Sequence, residues 1–261
     1  MRRAIDTVLL DLDDTLVVEV ASADEAIQRA CLLASASYPV HPDRLHESLR
    51  RVARERWHAT PYYPYANAIA ISSWEALWAR FEGDHPSLTD MRADAPAHRS
   101  TVWRGALAAH GIVDDDLADE MGRTFIQTRR SLHIQFPDVA KTLAWLLPRY
   151  KVGIVTNGLA CLQREKLHGA ELAPLFEAVV TAGDVHRRKP DPAIFERALA
   201  LLDATPAHTV MVGNSLTSDV AGGAAAGLRT VRLNRQCAPP EGGIRPDAEI
   251  ESLTQLIALL S

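Results

Sequence analysis

Two carboxylates, Asp11 and Asp13, stand two residues apart directly after the apolar run Thr7 to Leu10. A strand alternates its side chains, so both can face one point only if the backbone coils as it leaves the strand. Carboxylates that close repel each other unless a cation sits between them or one keeps its proton. Hard oxygen donors in such an arrangement suit Mg²⁺. Thr15 and Leu16 follow as the start of a turn over the same spot. An acidic loop capping a strand is the plainer alternative for this stretch.

Three more chemistry-bearing stretches follow, each after its own apolar run. Val152 to Val155 ends in Thr156, Asn157 and Gly158, a hydroxyl, an amide and a glycine ahead of a helical segment. Such a junction either binds an anion through its donors or is an ordinary turn with a capping Asn. Lys189, framed by Pro190, Asp191 and Pro192, follows Ala178 to Thr181. The prolines stiffen the backbone and favour a helix start. Lys189 then serves a negative site, or is solvated with Arg187 and Arg188. Last, Val210 to Val212 breaks at Gly213 and leads through Asn214, Ser215 and Thr217 to Asp219. Asp219 ligates a cation there, or merely complements a helix dipole.

These four stretches in this order resemble the haloacid dehalogenase superfamily of hydrolases, in its phosphatase-like form with a helical cap inserted after the first motif. The segment Gln163 to Leu167 and the run Pro246 to Ala248 also look like that family's connecting segments. The resemblance implies that Asp11 is the nucleophile, Asp13 the general acid/base, and Thr156 with Asn157 the phosphate site. It implies that Lys189 steadies Asp11 and the phosphoryl charge. Mg²⁺ would be held by Asp11, Asp219, Asn214 and the backbone carbonyl of Asp13. Two residues depart from the pattern: Asn214 stands where an Asp is usual, and His186 where a Gly is common.

The elements that must position these residues alternate from Lys151 onward. Strand-like runs at Lys151–Val155, Ala178–Thr181, Thr209–Val212, Thr230–Leu233 and Ala248–Ile250 are separated by helical segments near 160–168, 191–203 and 218–227, with a last helix near 252–260. That alternation predicts an α/β fold with a doubly wound parallel sheet, whose sites gather at the carboxyl ends of the strands. Between Leu16 and about Ile134 helical periodicity takes over, at Ala23–Ser35, Asp43–His58, Ser72–Phe81, Arg99–His110 and Asp115–Arg130. Pro61, Pro64, Pro86 and Pro96 interrupt it. The expected division is a Rossmann-like core of residues 1–16 and 135–261, with a helical cap of residues 17–134 that closes over the site and chooses the substrate.

The cap holds Trp57, Tyr62, Tyr63, Tyr65, Trp74, Trp78 and Trp103. Core packing explains most of them; Tyr62, Tyr63 and Tyr65 lie in an expected loop and are candidates for substrate contact. Arg50, Arg51, Arg54 and Arg56 are expected to be mainly solvated. His41, His46, His58, His85 and His98 are too scattered to suggest a metal site.

A net charge of −5 argues against a general nucleic-acid binder. Cys31, Cys161 and Cys237 show no zinc spacing and suit reduced thiols. The basic start Met1 to Arg3 is followed by an apolar run too short for a signal peptide, and no stretch reaches membrane-spanning length. The expected setting is the cytoplasm, as a monomer or homodimer. The expected activity is Mg²⁺-dependent hydrolysis of a small phosphorylated metabolite: a sugar phosphate, nucleotide or relative. A 2-haloacid dehalogenase is the first alternative, though family members with that activity lack the Asp two residues after the nucleophile. A phosphomutase, or a catalytically weak regulatory protein, completes the set.

Overall fold

The computed structural model describes residues 5–239 and 243–261; the basic start at Met1 to Arg3 lies outside them. Strand β1, Thr7–Leu10, is buried throughout and apolar from Val8 onward, as expected for a central parallel strand covered on both faces. The chain then leaves for a run of helices: α1 (Val20–Ser37), α2 (Pro42–His58), α3 (Tyr63–Ala68), α4 (Pro86–Ala108) and α5 (Asp115–Ser131). It returns through α6 (Val139–Leu146), β2 (Lys151–Thr156), α7 (Ala160–Gly169), β3 (Ala178–Thr181), the single turn α8 (Ala182–Val185), α9 (Pro192–Leu201), β4 (Thr209–Gly213), α10 (Ala221–Ala225), β5 (Arg229–Leu233), β6 (Ala248–Ile250) and α11 (Gln255–Leu260).

The six strands form one parallel sheet in the order β3-β2-β1-β4-β5-β6. Strand order reverses between β1 and β4, the point where doubly wound sheets open a crevice at their carboxyl ends. Leu10 pairs with Ile154 on one side and Val212 on the other. The chemistry-bearing loops after β1, β2 and β4 are therefore neighbours in space. Val8, Leu10, Val152, Ile154, Val210 and Val212 form the centre of the core, with α6 supplying Val139, Leu143 and Leu146.

The chain divides into two compact units, residues 1–18 with 134–261, and residues 19–133. Within the helical unit three expectations change. Ser72–Phe81 carries only a short 3₁₀ turn, Glu75–Leu77; Glu75 there accepts hydrogen bonds from the Ser72 amide and hydroxyl, which closes a turn instead of propagating a helix. Helix α4 begins at Pro86, well before Arg99, and runs through Pro96. Pro86 sits in the first turn, where its missing N–H is no loss. Proline in an interior turn costs a hydrogen bond, and the burial of Leu88, Met91, Ala95, Val102 and Trp103 along one helix offsets it. Finally, Tyr63 to Ala68 is helical, with Pro64 again in the first turn.

Several of the expected aromatics are core. Trp57, Trp78 and Trp103 are buried, and Tyr62 is buried with its hydroxyl donating to Asp94 at 2.6 Å. Tyr65 stacks on His85 at 3.7 Å between ring centres. Arg50 is not simply solvated: its guanidinium lies 4.7 Å over the Trp74 ring and pairs with Asp24.

Candidate functional site

Residues 11–17 wind into a tight turn as β1 ends. The Asp11 amide still bonds to Val212 of β4 at 2.9 Å. The Leu12 carbonyl then accepts from the amides of Thr15, Leu16 and Val17 at 3.3, 2.9 and 3.1 Å, and Asp14 takes a left-handed φ of 55°. The turn separates the two carboxylates. Asp11, 6% exposed, accepts the Thr15 hydroxyl at 2.9 Å and the Lys189 ammonium at 2.6 Å. Asp13 turns to Lys166 and Gln163 of α7.

The Lys189 ammonium donates to Asp11 at 2.6 Å and to the Val155 carbonyl at 2.7 Å, and forms an ion pair with Asp219 at 2.7 Å. Its backbone is clamped by Asn157, whose Oδ1 accepts from the Lys189 amide at 2.7 Å and whose Nδ2 donates to the Lys189 carbonyl at 3.5 Å. Asp191 caps α9 through the Ala193 amide at 3.0 Å, with Pro192 in the first turn. The sequence motif thus builds a rigid mount for one buried ammonium. On the approach, His186 ends α8 at φ 56°. That left-handed conformation explains why a glycine is common there. His is among the residues that tolerate it at modest cost.

Asp219 lies in a wide π-type turn, Leu216–Val220, that precedes α10. The expected helix over 218–227 is therefore two pieces, and such π-turns frequently mark functional sites. Asp219 Oδ2 accepts the Ser215 amide at 2.9 Å. Gly213 makes room for it: a Cβ at that position would stand 2.2 Å from the same oxygen. Asn214 is half-buried on the same loop.

Two buried carboxylates, Asp11 and Asp219, share one ammonium. Burial pushes the Asp11 carboxyl up to about 7 against the pull of Lys189, with Asp219 and Asp13 adding to the rise. Lys189 is held above its ordinary range despite its burial, because Asp11 and Asp219 both favour its charge. Asp219 Oδ1 is buried and accepts no aligned hydrogen bond, although it faces Lys189 as an ion pair. Two buried carboxylates against one ammonium leave excess negative charge, which fits a hard divalent cation. No group of three His, Cys, Asp or Glu among the described residues forms a ready-made metal cage. A small protein donor set suits Mg²⁺, which keeps several waters; Asp11 and the Asp13 carbonyl on the loop after β1, with Asn214 and Asp219 on the loop after β4, would supply its protein oxygens.

Thr156 donates to the Asn157 carbonyl at 3.2 Å and accepts from Gln163 Nε2 at 2.7 Å. Gln163 and Lys166, both buried, are polar groups that the motif reading passed over as a connecting segment. Their signal was legible: two polar residues three apart share a helix face, here beside the apolar Leu162 and Leu167.

Comparison with known proteins settles the family. The model for haloacid dehalogenase-like hydrolases matches residues 5–227. This chain is a haloacid dehalogenase-like hydrolase. A phosphoserine phosphatase of Thermus thermophilus is 34% identical over 249 residues, 95% of this chain and 96% of that one, which places the chain among the phosphatase-like members. YfnB of Bacillus subtilis, a hydrolase of this superfamily solved with magnesium bound, shares the fold with a TM-score of 0.66 at 21% identity, over 99% of this chain and 100% of that one. A 2-haloacid dehalogenase of Pseudomonas syringae superposes with a TM-score of 0.59 at 29% identity, over 98% of each chain.

Proposed function

We propose that this hydrolase is a Mg²⁺-dependent phosphatase of small phosphate monoesters, working through an aspartyl-phosphate on Asp11. The observation that carries the reading is the separation of the two carboxylates at the end of the central strand. Asp11 is held for attack by Thr15 and Lys189, while Asp13 is placed on different partners.

Asp11 attacks phosphorus and the ester oxygen leaves, taking a proton from Asp13. Water then attacks the aspartyl-phosphate and gives its proton to Asp13, which frees Asp11. Lys189 balances charge on Asp11 and on the phosphoryl oxygens. Thr156 and the turn at Asn157 border the phosphoryl group, with the Asn157 side chain acting mainly to mount Lys189. Asp11, Asp219, Asn214 and the Asp13 carbonyl would hold Mg²⁺, whose charge would let the carboxylate and phosphate anions approach each other. Residues 17–134 then act as the substrate-selecting cap of the core formed by 1–16 and 135–261. Phosphorylated amino acids join sugar phosphates and nucleotides as substrate candidates, given the Thermus thermophilus relative.

The dehalogenase likeness is weighed against Asp13, which family members with that activity lack. The test is turnover of p-nitrophenyl phosphate with Mg²⁺ and its loss on adding EDTA, followed by a panel of phosphorylated metabolites that includes phosphoserine. Release of halide from 2-haloacids with no phosphate release from any monoester would sink the proposal.

A further inference from the structure

Asp13 is held by partners that the chemistry above leaves without a task. Lys166 is 1% exposed and Gln163 fully buried, three residues apart on α7. Lys166 Nζ lies 3.1 and 3.0 Å from the two carboxylate oxygens of Asp13. Gln163 Nε2 donates to Asp13 Oδ2 at 2.8 Å. Burying an ammonium is costly unless it is paired. A surface carboxylate needs no such partner, and the Asp13 side chain is still 26% exposed. The arrangement therefore spends a buried cation on a carboxylate that solvent can reach.

Gln163 adds a second link. Its Nε2 also stands 2.7 Å from Thr156 Oγ1 and 2.7 Å from the Asn157 carbonyl. Two N–H protons face three oxygens, so the amide divides its bonds between Asp13 and the loop after β2. Its orientation is set by acceptors: a flipped amide would put Oε1 against the Asp13 carboxylate and the Asn157 carbonyl.

We propose that Lys166, aided by Gln163, is a positioning residue for the acid/base Asp13. Each carboxylate has its own ammonium, Lys189 for Asp11 and Lys166 for Asp13, so the two do not compete for one cation. In the first step the Asp11 oxygen bonds to phosphorus, the phosphorus–ester oxygen bond breaks, and the Asp13 proton passes to that oxygen. Asp13 is left as a carboxylate facing Lys166 at the place from which it next takes a proton from water. This inference rests on the acid/base role proposed for Asp13.

The leaving group supplies the test. A p-nitrophenolate departs without a proton; an alkoxide needs one. The quantity is kcat/KM on p-nitrophenyl phosphate and on an alkyl phosphate (phosphoserine, or glycerol phosphate if that is turned over faster), which reports the step that expels the leaving group. The ratio of the two in one preparation does not depend on how much protein is folded, so a destabilised variant still reads out. Removing a general acid typically costs ~10²–10⁴-fold. Lys166→Met is expected to lose at least about tenfold more on the alkyl than on the aryl substrate. Lys166→Arg should restore most of the ratio, and Lys166→Met added to Asp13→Asn should cost little more, because residues acting as a unit are not additive. Equal losses on both substrates for Lys166→Met, with a strong bias for Asp13→Asn, would overturn the positioning role and leave the acid role of Asp13 standing. An Asp13→Asn variant with no leaving-group bias would overturn both.

Discussion

In the helical unit the buried Glu19 carboxylate meets the Arg129 guanidinium, which also lies 4.7 Å over the Trp78 ring. In the α/β unit the buried carboxylates of Asp11 and Asp219 both meet the single ammonium of Lys189. Both are charges withdrawn from water, and both cost desolvation. The difference is the balance. One carboxylate and one guanidinium cancel, and an aromatic face completes the pair. Two carboxylates on one ammonium leave negative charge over, and burial pushes the Asp11 carboxyl up to about 7. Buried charge alone does not mark a working site; buried charge that is left unbalanced at the ends of parallel strands does.

The largest effect is expected where that imbalance is removed. Asp11→Asn should abolish phosphate release, since an amide cannot accept the phosphoryl group, while the melting temperature holds or rises. Measurable steady turnover by this variant would mean that Asp11 is not the nucleophile. Arg129→Met is the counterpart in the helical unit. Leaving Glu19 buried without its partner should cost about 3–5 kcal/mol of stability, read by urea denaturation, with kcat per folded molecule near the parent value. A large fall in kcat at unchanged stability would reverse the comparison.

Asp138 is an intermediate case. Its carboxylate accepts from Arg235 at 2.8 and 2.9 Å, from Ser252 at 2.9 Å and from the Leu253 amide at 2.7 Å. Partial burial works against its charge, yet these bonds hold its carboxyl below the ordinary range. A depressed folded-state pKa means stability present above the unfolded value, near 3.9, and lost as pH falls through the folded one. Asp138→Asn should therefore lower stability at neutral pH by about 1–3 kcal/mol and flatten its acid dependence. An unchanged slope between neutrality and acid would exclude that contribution. The smallest effect adds charge to the α/β site. Asn214→Asp should lower half-saturating Mg²⁺ by about tenfold, since affinity for hard cations rises with ligand charge. Equal half-saturation in a Mg²⁺ titration of both proteins would show that Asn214 does not face the cation.

Legibility differed between the same two regions. Strands β2 to β6 follow apolar runs that end at turn residues, and the sheet's parallel character follows from alternation with helices. The residues Asp11, Lys189 and Asp219 stand out because each follows such a run; only the register Leu10 to Ile154 and Val212 brings the loops together. In the helical unit the strong amphipathic segments α2 and α5 were readable, whereas Pro86 and Pro96 misled. A proline that starts a helix and one buried within it look alike in one dimension, and only packing of the face from Leu88 to Trp103 decides between them.

What this sequence determined by itself is local: apolar runs long enough for strands, prolines that set helix starts around Lys189, and which side chains carry oxygen or charge. The tertiary structure decided the pairings. It gave Lys189 to Asp11 and Asp219, Lys166 and Gln163 to Asp13, and Asn157 to the Lys189 backbone. Those partners lie far apart along the chain, and the distances over which charges bind are a few ångströms. Their energy therefore depends on the sheet's register and on burial, which no local pattern of residues specifies.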